Sequence, residues 1–143
     1  WRRFGGRIDS RRIAIRLTNR NDFTSDIDKI IDMKVSEIVE KLNLEVYSGS
    51  KGLEREIKGG YTSDLLSDVM GHADSGNVWI TLQTHKNVIA IASLKEIAAV
   101  VLVKGYKPEA DTMAQSNEEG IPILGTGMEA FEVTGLLFNL IKG

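Results

Sequence analysis

Two histidines, His72 and His85, and one carboxylate pair four residues apart, Asp64 and Asp68, are the residues whose type and spacing could do chemistry. His85 lies in "WITLQTHKN" (79–87), where four residues of hydrophobic strand run into five polar ones. A histidine acting as general base needs a proton partner and an orienting group. Thr84 and Asn87 are close in sequence but supply neither a carboxylate nor an activated nucleophile. The ordinary reading is a hydrogen-bonding loop histidine. His72 follows Gly71 near an expected helix end, where an imidazole suits the helix dipole. Asp64 and Asp68 at helical spacing would share a face, to hold Mg²⁺ or to act as acid and base. They would equally favour a helix N-terminus, which is the plainer account.

The chain has no cysteine, which removes thiolate nucleophiles, disulfides and Cys-ligated zinc or iron–sulfur centres. With two imidazoles, a dedicated catalytic metal site is not expected, and no cofactor is implied. There is no G-x-x-x-x-G-K-[ST], H-E-x-x-H, G-x-S-x-G or RNA-binding signature. Trp79 and Met70 read as core. "GTGMEA" (125–130) matches G-x-G-x-x-A, but too few residues follow for the second strand and ribose-binding acid of a dinucleotide unit. It is either a glycine-rich helix start that holds a phosphate or a tight turn where close packing excludes side chains.

These residues must be positioned by a fold. The 143 residues suit one domain with a sizeable core, and a net charge of −2 gives no general pull toward nucleic acid. No apolar run is long enough to span a membrane, and a cytoplasmic location is expected. Seven of the eight arginines lie in residues 1–32, which carry +3, whereas residues 33–143 carry −5. This break marks a boundary between a basic N-terminal extension (1–32) and an α/β domain (33–143). The extension is a leader, or a genuine added element: "RRIAIRLT" alternates like a strand and "TSDIDKIIDM" like a capped helix.

From Met33 onward, strands and helices alternate. Helices are expected from Ser36 to Leu42, Asp64 to Met70, Asn87 to about Glu96, and Pro108 to Glu119, with another after "GTG". Strands are expected at "LEVYS", near Leu53–Ile57, and at "NVWITL", "AAVVLV" and "IPIL". This is an α/β fold, a three-layer sandwich with a largely parallel sheet. Ligands of such sheets sit outside the carboxyl ends of the strands. Four polar loops are expected there: "GGYTSD" (59–64), "QTHKN" (83–87), "KGYKP" (104–108) and "GTGME" (125–129). Candidate ligand-binding residues are Thr81, Gln83, Thr84, His85, Asn87, Lys104, Gly105, Tyr106, Gly125, Thr126 and Gly127.

The combination "NVWITLQTHKNVIAIA … AAVVLVKGYKP … EEGIPILGTGMEAFEVTG" resembles the DRTGG domain family, across essentially residues 33–143. The resemblance sets Gln83, Thr84 and His85 where the family has Gly-Asp-Arg. It sets Val103, Lys104 and Gly105 where the family has Thr-Gly-Gly; only Gly105 retains a letter of the name, and Thr81 and Pro108 fit the wider pattern. The resemblance implies a fold like the N-terminal domain of HPr kinase/phosphatase. It implies a non-catalytic regulatory or ligand-binding accessory, of the kind that occurs beside CBS domains in some pyrophosphatases. Standalone versions are hydrogenase-associated, so a redox or kinase enzyme partner is expected, with a small anionic or nucleotide ligand and no nucleic acid or membrane contact. The apolar C-terminal helix, carrying Phe131, Leu136 and Phe138, suggests a homodimer or a docking surface.

Because the alternation and the resemblance both begin at Met33, residues 33–143 are expected to fold alone. Removing residues 1–32 should cost less than about 2 kcal/mol in chemical denaturation. A truncated chain that is insoluble, or far less stable, would move the domain boundary upstream.

Overall fold

A computed structural model describes residues 33–142, and the expectations for "RRIAIRLT" and "TSDIDKIIDM" lie outside the described residues. Its elements run α1 (Val35–Lys41), β1 (Glu45–Ser48), a 3₁₀ turn (Ser50–Gly52), β2 (Gly59–Thr62), α2 (Leu66–His72), β3 (Asn77–Thr81), α3 (Asn87–Leu94), β4 (Ala99–Leu102), α4 (Ala110–Glu119), β5 (Ile123–Gly125) and α5 (Ala130–Lys142). The five strands form one sheet in the order β1-β5-β4-β3-β2. β2 through β5 are mutually parallel, and β1 closes the far side antiparallel to β5, with Val46 opposite Leu124.

Every residue of β3, β4 and β5 is buried. Their apolar side chains alternate between two cores because successive side chains of a strand point to opposite faces. Val78, Ile80, Ala99, Val101 and Leu124 pack with α1 and α5 through Val35, Ile38, Val133, Leu137 and Ile141. Trp79, Val100, Leu102 and Ile123 pack with α2 and α3 through Val69, Val88, Ile89, Ile91 and Ala92. The three layers expected from the sequence are therefore present. Parallel neighbours need crossovers, and right-handed crossovers stepping one way across a sheet leave their helices on one face. Hence α2, α3 and α4 line up together, and the chain crosses to the other face only after β5.

Three local readings change. The extended piece expected near Leu53–Ile57 is a turn at Leu53–Glu54, directly after the 3₁₀ turn, followed by a single antiparallel bridge, Lys34 with Glu56. The strand is instead Gly59–Thr62, which the sequence presents as part of a loop. Two glycines and a one-sided pairing, with β3 alone, hide it. Met70, expected in the core, is 39% exposed, because α2 turns Val69 inward and its neighbour outward. The ambiguous run after Asn87 is a helix to Leu94, shorter than expected. It is closed by Ile97 N–H donating to the Ala92 carbonyl (2.9 Å) across Glu96, which takes a left-handed φ of 55°.

The chain between β1 and β2 is pinned against the entry to β5. Gly49 has φ 73°, and a Cβ there would fall 2.2 Å from the Ile121 carbonyl oxygen. Backbone cannot yield as a side-chain tip can. Gly49→Ala should lower stability by about 2–4 kcal/mol in urea denaturation. A loss under about 0.5 kcal/mol would show that this turn is not held as described.

Candidate functional site

The carboxyl ends of the parallel strands carry the loops after β2 (63–65), β3 (82–86), β4 (103–109) and β5 (126–129). They are wired to one another by backbone and side-chain hydrogen bonds. The Asp64 carboxylate is the first fixture: Oδ1 accepts from the buried Thr81 hydroxyl (2.9 Å) and from Leu82 N–H (2.7 Å). Gln83 returns the contact, its side-chain amide donating to the Asp64 carbonyl (2.9 Å), while its own N–H donates to Thr81 Oγ1 (3.1 Å). The Thr84 carbonyl accepts from the Thr112 hydroxyl (2.8 Å) and from Glu109 N–H (3.2 Å), which ties the β3 loop to the start of α4. Lys104 N–H donates to the Met128 carbonyl (2.8 Å) and Gly105 N–H to the Thr126 carbonyl (2.9 Å), which ties the β4 loop to the β5 loop. Lys104 bends the chain through a left-handed φ of 59° to do so.

The candidates from the sequence thus fall into two groups. Thr81, Gln83, Thr84 and Thr126 hold the rim together. His85, Asn87, Lys104, Gly105, Tyr106 and Gly127 are exposed on it, with Lys86 and Lys107 beside them. His85 Nδ1 accepts from Asn87 N–H (3.3 Å), so the imidazole is engaged in shaping the start of α3. Among the described residues it has no carboxylate ion-pair partner. Gly125 lies apart: it ends β5, buried, and a Cβ there would fall 2.3 Å from the Tyr47 ring. The first glycine of "GTG" therefore serves packing, and the helix begins only at Ala130. The same burial, with Glu45 nearby, pushes the Tyr47 hydroxyl above its usual pKa.

The carboxylate pair does not share a helix face. Asp64 precedes α2 and faces Thr81. Asp68, within α2, accepts from the Tyr61 hydroxyl (2.9 Å) and lies 3.1 Å from His72 Nδ1. Hydrogen bonds from Ser63 and then Tyr61 hold Asp68 below the usual carboxylate range, and His72 adds to this. What Asp68 contributes is therefore present above that range and fades as pH falls through its lowered value. No group of three or more acidic or histidine side chains among the described residues could hold a metal.

Surface cavities open elsewhere on the described residues. One of about 540 Å³ is lined by Arg55, Lys58, Glu96 and Glu119 at the opposite end of the sheet. One of about 410 Å³ lies between β2 and α5. Another lies over Phe131, Gly135 and Phe138. The rim itself is an open polar surface.

A four-strand parallel run with one antiparallel edge strand, and helices on both faces, defines a three-layer α/β module. The DRTGG domain model matches residues 37–140, and the chain belongs to that family. No curated protein matches the chain. Among solved structures it is similar to the CBS and DRTGG domains of the regulatory region of Clostridium perfringens pyrophosphatase, complexed with the activator diadenosine tetraphosphate. The TM-score is 0.62 at 12% identity, and the match covers 83% of this chain and 58% of that one.

Arg55 is a residue that the sequence does not single out. It is half-buried, with Nη1 donating to the Ile97 carbonyl (3.1 Å), and it lines the cavity of about 540 Å³ at the opposite end of the sheet.

Asp64→Ala removes an ionised acceptor shared by two donors from neighbouring elements. It should cost about 1.5–3 kcal/mol in urea denaturation. A loss no larger than that of Asp68→Ala, the half-buried carboxylate of α2, would show that the rim does not hang on Asp64.

Proposed function

We propose that this chain is a non-catalytic accessory domain that regulates an enzyme by binding a small anion or nucleotide at the carboxyl-end rim. One observation carries the reading. Three loops fixed to one another by backbone bonds present Lys86, Lys104 and Lys107, with His85 and Tyr106, on one exposed surface. Cations spread over a pre-organised rim suit phosphate or carboxylate groups, and an exposed tyrosine suits a base or other planar group. The activator bound by the pyrophosphatase regulatory region is a dinucleoside polyphosphate, which supports a nucleotide as the ligand class. An enzyme using His85 as acid or base is the weaker reading, because its Nδ1 is spent on Asn87. The partner enzyme we propose is a redox enzyme of the hydrogenase kind, or a kinase, on the resemblance alone.

A second reading, an assembly module, is favoured by a separate observation. Phe131, Leu136 and Phe138 on α5 are exposed to 91%, 45% and 60%.

Thermal-shift measurement with ATP, diadenosine tetraphosphate, inorganic phosphate and acetyl phosphate tests the ligand reading. A ligand at one hundred times its Kd adds about 2.7 kcal/mol to stability. The shift should shrink with added salt and vanish in the Lys104→Ala, Lys107→Ala double variant. No shift with any of the four at millimolar concentration would overturn it.

A further inference from the structure

The cavity of about 540 Å³ at the amino ends of the parallel strands lies away from the rim and is lined by charges of both signs. Arg55 and Lys58 come from the chain leading into β2, Glu96 from the turn after α3, and Glu119 from the end of α4. Opposite charges around one cavity cancel where they touch. Among the described residues none of these four forms an ion pair. The lining between them includes the small residues Gly76, Ala92 and Ala98, all buried, and the hollow exists because they are small.

Each charge is held in place by its surroundings. Arg55 is half-buried, and its guanidinium spends one N–H on the Ile97 carbonyl (3.1 Å), which leaves further donors for a ligand. Gly76 fixes the next two. Its N–H donates to the Glu96 carbonyl (2.9 Å), and its own carbonyl accepts from Lys58 N–H (2.9 Å). Its φ is 83°, and a Cβ there would lie 3.0 Å from Lys58 Cδ, so the lysine stem runs across the glycine. Glu96 holds a left-handed φ of 55°, which asparagine or glycine adopts more readily than glutamate. Glu119 accepts from the Ser93 hydroxyl (3.2 Å).

Walls of opposite sign fit a molecule that carries both signs. With Glu56 the lining holds three carboxylates against two cations, which disfavours a polyphosphate. A guanidinium takes a carboxylate through two parallel N–H bonds, and an ammonium group offers donors only, which suits carboxylates and hydroxyls. The volume falls within the roughly 300–1,000 Å³ usual for small-molecule sites.

We propose that this cavity binds a free α-amino acid, its carboxylate on Arg55 and Lys58 and its ammonium group on Glu96 and Glu119. The site is separate from the rim and does not rest on the rim ligand.

Titration of the isotope-labelled full chain with glycine, L-leucine, L-glutamate and L-arginine, followed by amide chemical shifts, tests it. At millimolar concentration at least one of the four should move the Gly76 and Glu96 amides saturably and leave Gly105, on the rim, unmoved. Acetate and methylammonium each carry one half of the head group and leave one wall unpaired, so each should bind at least about tenfold more weakly. Glu96→Asn removes the carboxylate and suits the left-handed backbone. It should lower affinity at least about tenfold without lowering the Tm of the free chain. Lys58→Ala should weaken binding while the far-UV spectrum stays unchanged. No saturable shift with any of the four, acetate bound as tightly as the amino acid, or full affinity in Glu96→Asn would each overturn the proposal. None of these outcomes bears on a thermal shift by nucleotides.

Discussion

The five residues of β3, Asn77–Thr81, are buried on both faces of the sheet, and the arrangement of the molecule follows from covering them. Their neighbours β2 and β4 run parallel, so each step across the sheet requires a helical crossover. Those crossovers cover one face. The other is left to α1 and α5, which come from the two ends of the described chain. Trp79 shows how the burial is completed: its ring is wholly inside, and the indole N–H donates to the Ser63 carbonyl (2.8 Å). The buried strand thus also fixes the first loop of the rim, since a buried donor needs a partner and Ser63 supplies it.

From that point the rim assembles by satisfaction of polar groups. Thr81 is a hydroxyl inside an apolar strand end, 1% exposed, and it must donate; Asp64 accepts. Asp64 then draws in Leu82 and Gln83, and the chain of bonds passes through Thr84 to α4. The side chains singled out by the sequence are therefore divided by what they already do. Those bonded inside cannot also serve a ligand without breaking the rim, whereas the lysines and Tyr106 are free of that duty and His85 is engaged through Nδ1 alone.

How much of this was legible depended on whether burial or contact decided the outcome. "NVWIT" and "AVVL" are apolar without alternation, and two-sided burial is the physical reason, so the strands and the layered fold could be read directly. β2 could not, because an edge strand paired on one side tolerates Gly59 and Gly60, which carry no strand signal. The spacing of Asp64 and Asp68 suggested one helix face. The start of α2 two residues after Asp64 depends on the Ser63 hydroxyl accepting Leu65 N–H (3.1 Å), a local competition that spacing does not reveal. Gly125 and Gly127 look alike in "GTG", yet only the first lies under the Tyr47 ring, a contact made across the antiparallel edge.

β2 has a part in two surfaces, the rim and the exposed face of α5. Its carboxyl end leads to Asp64 and the rim. Its Thr62 hydroxyl shares a hydrogen bond with Thr134 of α5 (2.8 Å). A rigid path between two sites is not itself coupling. A ligand alters association only by the difference in its affinity for the two association states, and the effect is reciprocal. The short edge strand is the element that could differ between those states, because it is paired on one side only and packs on α5 through glycine at position 60, with Leu137 Cδ2 lying 3.5 Å from where a Cβ would be. Strands deeper in the sheet, buried on both faces, have no room for two arrangements. Regulation through this fold, if it passes between rim and helix, must therefore pass by way of the edge.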